Sequence, residues 1–282
     1  MEIVRYWWTH DGDEELCIKE EGTLLMPMQC ENCSEPGTIG SKMIELTPLS
    51  ANTHAKGYFL CKKCFEERTE EVPGRNSIDY KDLIELLKNA KVAKEIMDRK
   101  YEIGALLPSV YIMFGYNQQN AAHQYDLWEH CVHTVINLPK DIDDDMLYLA
   151  ALLHDIGKPD CWCWGKREDD PNMHYYGHPV KSMEIVRDEV LPCLEAAGIC
   201  LTEEDRKRLL YYVEYHDYRM SHREKHIRKH LEMVNIETFK TLMLLQIADA
   251  KAHVQLSVVV ERIRVCEDWY MRATEFVKED AK

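Results

Sequence analysis

The chain has 282 residues, 45% hydrophobic and 30% charged, with a formal charge of -15. That is enough material for one sizeable domain plus a smaller one, at ~100–150 residues per domain, and the acidic balance disfavours general nucleic-acid binding through phosphate neutralisation. The N-terminus meets acidic residues at once, without the basic-then-apolar order of a signal peptide, and no apolar run reaches the ~18–20 residues of a membrane span. With 11 cysteines and no secretory signal, the chain suits a reducing compartment, and a cytoplasmic protein without membrane attachment is expected.

Residues 1–75 mix short apolar pieces with glycines and prolines and show no sustained helical period. Within them, Cys30-x-x-Cys33 and Cys61-x-x-Cys64 form two knuckles separated by a 27-residue insert. Two such turns complete the tetrahedral thiolate shell that structural zinc prefers. The second pair opens a helical segment, whose positive dipole end favours thiolates. This predicts a zinc-ribbon or treble-clef module with short strands; the bland alternative is four cysteines that simply pack. Four protein ligands close the shell, so the zinc is structural, and a macromolecular partner for the module is a possibility that the residues leave open. Cys161 and Cys163 have the wrong spacing for a further knuckle.

After "VPGRNS" the texture changes to long segments of 3.6-residue period. Helices are predicted over 80–97, with Leu83, Leu86, Leu87, Ala90 and Ala93 on one face, over 125–138 and over 143–155. A further helix starts at His178-Pro179 and stops at Gly198, bent or interrupted at Pro192. Thr202 with Asp205 resembles a capping box before "RKRLLYYVEYH", and helices over 236–254 and 258–277 complete the set. With no convincing strand beyond residue 76, the fold class is mainly α, and residues 76–282 form an all-α domain.

The chemistry lies in His130, His154-Asp155, His178, His216 and Asp249, each in or beside a helix whose apolar stripe orients it. Imidazoles and carboxylates suit a catalytic divalent metal with open positions. Singly, each could be an ordinary satisfied residue. Asp249, however, interrupts the apolar run "MLLQIADA", where a charge needs a partner.

The order H…HD…H…H…D resembles the HD superfamily of metal-dependent phosphohydrolases, an all-α helical bundle. The words "LPSVYIMFGYNQQNAAHQYDLWEHCVHTV", "LAALLHDIGKP", "HYYGHPVKS" and "YYVEYHDYR" are similar to the HD domain attached to bacterial tRNA nucleotidyltransferases, over about residues 105–255. Residues 1–104 lack the Gly-Ser and spaced Asp pair of a nucleotidyltransferase head, so CCA addition is not carried over. The resemblance implies that His130, His154, Asp155 and Asp249 are primary metal ligands, and that His178 and His216 hold a second ion, bridged by Asp155. The ion could be Fe, Mn, Ni, Co or Mg.

A divalent ion held this way would activate a water to hydrolyse a phosphomonoester or phosphodiester, in a nucleotide or a 2′,3′-cyclic phosphate. Asp155 and Lys158 are the expected catalytic residues. Lys158 either meets the substrate phosphate or complements the helix dipole, while Gly157 frees the chain to turn and Pro159 stops the helix. The polar stretch 165–178 is expected to border the pocket. His174, Tyr175 and Tyr176 could contact a base or pack on a helix; His123 is a candidate pocket residue, and His133 is left outside the metal set. Two competing readings remain: a nucleotide-sensing protein whose zinc module binds a partner, and RNA 3′-end processing, which the acidic charge opposes.

Overall fold

The computed structural model describes residues 5–10, 13–24, 26–48, 58–71, 77–165 and 172–280. The chain divides into two compact units, Met1–Ser77 and Ile78–Lys282.

The first unit is built on a five-stranded antiparallel sheet of order β6-β5-β2-β1-β7. The strands are β1 (Arg5–His10), β2 (Asp13–Thr23), β5 (Lys42–Pro48), β6 (Tyr58–Leu60) and β7 (Thr69–Glu71), and the pair β3 (Met28–Gln29) and β4 (Pro36–Gly37) stands apart as its own ribbon. Trp8, Cys17, Leu46, Leu60 and Phe65 form the core. The 11 residues of β2 exceed the short strands expected. Its letters, DEELCIKEEGT, are so rich in charge that the period-2 signal is hidden, and only pairing to β1 and β5 makes it a strand. Helix α1 (Lys62–Arg68) starts directly after Cys61.

The second unit is helical. Helix α6 (Asp145–Leu153) is its centre: every residue from Met146 to Leu153 is buried, as befits a helix apolar on all sides. Around it pack α2 (Tyr80–Asn89), α5 (Leu127–Asn137), α9 (Glu203–Tyr215) and α11 (Ile236–Ala252), and α12 (Ser257–Asp280) lies along α11. Side-chain caps set several starts: Asp126, Asp144, Thr202 and Asn235 each accept a backbone N–H of the first turn.

Two details differ from the sequence expectation, and the break expected at Pro192 is located. The segment 80–97 is two helices, α2 and α3 (Ala93–Met97), because the chain turns extended at Ala90. Pro192 bends rather than ends its segment: α7 (His178–Ile185) runs through a π-turn at Val186–Val190 into α8 (Leu191–Ala196), whose first turn holds the proline where its missing N–H costs nothing. A two-residue pair, β8 (Cys163–Trp164) with β9 (Met173–His174), lies beyond residue 76. The remaining helices are α4 (Lys100–Leu106) and α10 (Glu224–Leu231). Gly198 adopts φ +83 and ends the α8 segment as expected. Among the described residues, no helix is long and apolar enough to cross a membrane.

Candidate metal centre

Five helices deliver the predicted residues to one point. His130 comes from α5, His154 and Asp155 from the end of α6, His178 from the start of α7, His216 from the end of α9 and Asp249 from the last turn of α11. His130, His154, Asp155, His216 and Asp249 are almost fully buried, and the His178 side chain is 11% exposed.

Asp155 stands between two groups of nitrogen. Its Oδ2 lies 3.3 Å from Nε2 of both His130 and His154, while its Oδ1 lies 3.0 Å from His178 Nε2 and 3.3 Å from His216 Nε2. Asp249 Oδ1 closes the first group, 3.1 Å from His130 Nε2 and 3.6 Å from His154 Nε2.

The ring orientations suit a cation. Nδ1 of His154, His178 and His216 lies 2.9, 2.8 and 2.7 Å from the backbone carbonyls of Ala151, Tyr175 and Val213. A carbonyl can only accept, so each Nδ1 carries a proton and Nε2 is the ring atom turned inward, the atom that offers a lone pair to a cation when the ring is neutral. Nε2 of His178 and Nε2 of His216 then face each other at 3.2 Å, with Asp155 Oδ1 beside both. Buried lone pairs converging in this way repel unless a cation or proton lies between them. His130 Nε2, His154 Nε2, Asp155 Oδ1 and Asp249 Oδ1 are buried without a hydrogen-bond partner. The donor set fits hard or borderline divalent metals, as His130, His154, Asp249 and Asp155 on one side and His178, His216 and Asp155 on the other. The Nδ1 bonds supply the outer support that metal-binding histidines need.

Positive charge is already built in. Burial alone would raise the pKa of Asp155; Lys158, His154 and His130 overcome it and hold the carboxyl well below the usual range. Lys158 Nζ lies 2.6 Å from Asp155 Oδ2, donates to Gln118 Oε1 at 2.8 Å, and is 5% exposed. It is thus fixed inside the site rather than trailing from a helix end. For Asp249, burial is likewise opposed by His253 and Arg262. Arg262 of α12 donates to the His216 carbonyl at 2.8 Å and lies 3.1 Å from Asp249 Oδ2 and 3.3 Å from Asp217 Oδ1.

Gly157 serves otherwise than expected. Its φ is -84, so the turn does not need a left-handed residue. A Cβ there would stand 2.5 Å from Ser182 N and 2.8 Å from Lys181 C, and its own N–H donates to Ser182 Oγ at 2.9 Å. The glycine lets α7, and with it His178, pack against the turn after Asp155.

A cavity of about 260 Å³ opens onto the cluster, and Asp155, Lys158, His178 and Asp249 line it. His123 and His174, predicted as pocket residues, line it too. His174 stacks on Tyr176, with the rings 3° from parallel and 5.3 Å apart. Tyr175 packs inward, its hydroxyl donating to the Gln118 carbonyl at 2.6 Å. Of the loop 165–178, residues 166–171 lie outside the described residues. His133 stacks on Tyr125 and stays off the cavity.

His253, Arg262 and Gln118 were not singled out from sequence. His253 follows Asp249 by four residues, a spacing that puts both on one helix face and could have flagged it. Its Nδ1 lies 2.9 Å from the Asp249 carbonyl, so its Nε2 also carries a lone pair, and burial lowers its pKa to about 4. Arg262 and Gln118 carry no such local signal.

Residues 121–252 match the HD domain family. The matched segment contains all six residues of the buried cluster, and HD domains bind divalent metals through such a His/Asp set. No curated protein matches the chain. Gln118, His253 and Arg262 lie outside the matched HD segment.

In the first unit, the sulfurs of Cys30, Cys33, Cys61 and Cys64 all lie within 4.8 Å of one another, a cluster that could hold zinc. Asn32 donates to Cys64 Sγ at 3.3 Å. Burial works to raise the Cys30 pKa, but backbone N–H groups of Cys61, Cys33 and Asn32 bring it down to about 7.

Proposed function

We propose that the HD domain is a metal-dependent hydrolase of phosphoric esters, acting on a nucleotide or a 2′,3′-cyclic phosphate as phosphomonoesterase or phosphodiesterase. The observation that carries this reading is the inward-facing set of lone pairs on both sides of Asp155, opening onto a cavity with cationic groups. His130, His154, Asp155 and Asp249 would hold one ion, and His178 and His216 with Asp155 a second. A divalent ion there supplies Lewis-acid chemistry, polarising a phosphoryl oxygen and lowering the pKa of water towards neutrality.

The chain's own residues do the rest. Lys158 keeps Asp155 ionised and contributes positive charge beside the phosphoryl group. Arg219, which lines the same cavity without an ion-pair partner among the described residues, receives a non-transferred anionic oxygen. His123 and His174 contact the substrate from the wall. The nucleotide class draws support from the similarity to the HD domain of tRNA nucleotidyltransferases. The cysteine cluster would hold one structural zinc, and the same reading makes the protein cytoplasmic.

The test is metal analysis followed by a phosphatase and phosphodiesterase screen on nucleotides with the metal restored. His154→Ala and Asp155→Ala should each abolish turnover and lose the non-zinc metal; turnover that survives both changes overturns the proposal. Tight nucleotide binding without turnover would instead favour the sensor reading, in which the zinc module binds a partner.

A further inference from the structure

The cavity at the metal centre has a neighbour. A second cavity, of about 550 Å³, shares Asp217, Arg219, His253 and Arg262 with it, so the two adjoin at these side chains. The first cavity, at about 260 Å³, lies just below the ~300–1,000 Å³ of ordinary ligand pockets and surrounds the place of the phosphate. The second has a different chemistry. Its walls are Met220, Val258, Val259 and Val265, with Ser257 and Glu261 as the polar groups at the α12 end. Val258, in this wall, is 70% exposed. This wall belongs to the first turns of α12, beyond the matched HD segment.

We infer that this second cavity is the base subsite of the enzyme: the nucleobase of a nucleotide lies between Met220 and the start of α12 while its phosphate reaches the metal cluster past Arg219 and Arg262. The inference rests on the reading of the metal cluster as the phosphate site. The chemistry fits a base rather than an alkyl chain, because Met220, Val258 and Val259 offer apolar contact to a flat ring while Ser257 brings a hydroxyl to the wall and Glu261, 3.6 Å from Arg264, a carboxylate. The rival platform, the His174–Tyr176 pair, is already stacked ring on ring.

The experiment is calorimetric binding of AMP, GMP, ribose 5-phosphate and inorganic phosphate to the metal-loaded full chain. At ~25 cal/mol per Å² of apolar surface buried, a base in this cavity tightens binding roughly ten- to a hundredfold over ribose 5-phosphate. Val258→Glu, at an exposed position, and Val259→Trp, which fills the cavity, should remove that advantage and leave ribose 5-phosphate and phosphate unchanged; Tyr176→Ala should keep the advantage of nucleotides over ribose 5-phosphate. Nucleotides that bind no tighter than ribose 5-phosphate, or an advantage lost in Tyr176→Ala and kept in Val258→Glu, overturn the subsite. Should phosphate and ribose 5-phosphate fail to bind while nucleotides bind in a manner sensitive to Val258, the subsite stands and the phosphohydrolase reading falls.

Discussion

Arg262→Met separates stability from metal loading. The substitution keeps much of the apolar stem but takes the guanidinium from Asp249 Oδ2, Asp217 Oδ1 and the His216 carbonyl together. Breaking a buried ion pair costs about 3–5 kcal/mol. Here the Arg262 side chain is 25% exposed and Asp217 42%, so water takes over part of the lost interaction, and about 2–3 kcal/mol is expected. At ~2–4 °C per kcal/mol for a unit of this size, the metal-free variant should melt roughly 5–10 °C below the parent. A divalent ion changes the balance, because it places positive charge on Asp249 where the guanidinium was and no longer competes with it for that carboxylate. The ion therefore binds the variant more tightly than the parent, and stabilisation by binding, about 2.7 kcal/mol at a hundredfold excess over Kd, is larger in the variant at the same ion concentration. Differential scanning calorimetry in chelator and in saturating Mn²⁺ measures both states. The deficit should be large in chelator and shrink with the ion. A variant that melts within about 2 °C of the parent in chelator, or one whose deficit persists undiminished at saturation, refutes the assignment of Arg262 as counter-charge to Asp249.

Other outcomes follow from single contacts. Gly157→Ala forces a Cβ against the backbone of Ser182 and Lys181, so it should cost about 2–3 kcal/mol in urea unfolding and displace His178 enough to weaken metal binding. His230 is fully buried, with Nδ1 2.7 Å from the Tyr211 hydroxyl, and burial, then Lys229 and His226, lower its pKa from 6.5 to about 4. The folded state keeps it neutral while the unfolded chain takes up a proton below pH 6.5, so stability falls with pH by about 1.4 kcal/mol per unit between 6.5 and 4, about 3 kcal/mol in all. Urea midpoints at pH 7.5 and 5.0 should show a pH dependence that is shallower by this amount in His230→Phe than in the parent, where His253 and other buried histidines contribute too; an equal slope in both rejects the argument. Cys64→Ala should remove one zinc per chain from the purified protein while the second metal species, bound by histidines and aspartates, is retained. Zinc unchanged in that variant would mean that the four thiols only pack.

Much of the candidate site was visible in one dimension. The residue types and order of His130, His154-Asp155, His178, His216 and Asp249 advertise metal chemistry, and two CxxC pairs advertise thiolate coordination, because ligand preference is a property of side-chain atoms and not of the fold. The helical second unit was legible for a similar reason: apolar residues at 3.6-residue spacing can be buried only as helices, and Asp126, Asp144, Thr202 and Asn235 stand where first turns need acceptors. Strand β2 was not legible, since its charged letters carry no alternation and its partners lie elsewhere in the chain.

Tertiary structure decided what spacing cannot encode. It placed Asp155 between two sets of imidazoles, turned four histidine rings by bonding Nδ1 to carbonyls three or four residues earlier, and buried Lys158 against Asp155 and Gln118. It also set Arg262 against Asp249 and placed the metal cavity beside an apolar one at the start of α12. A sequence specifies which atoms can bind a cation or a base; their mutual distance depends on how helices far apart in the chain pack, and that packing is fixed only when the whole apolar core closes around α6.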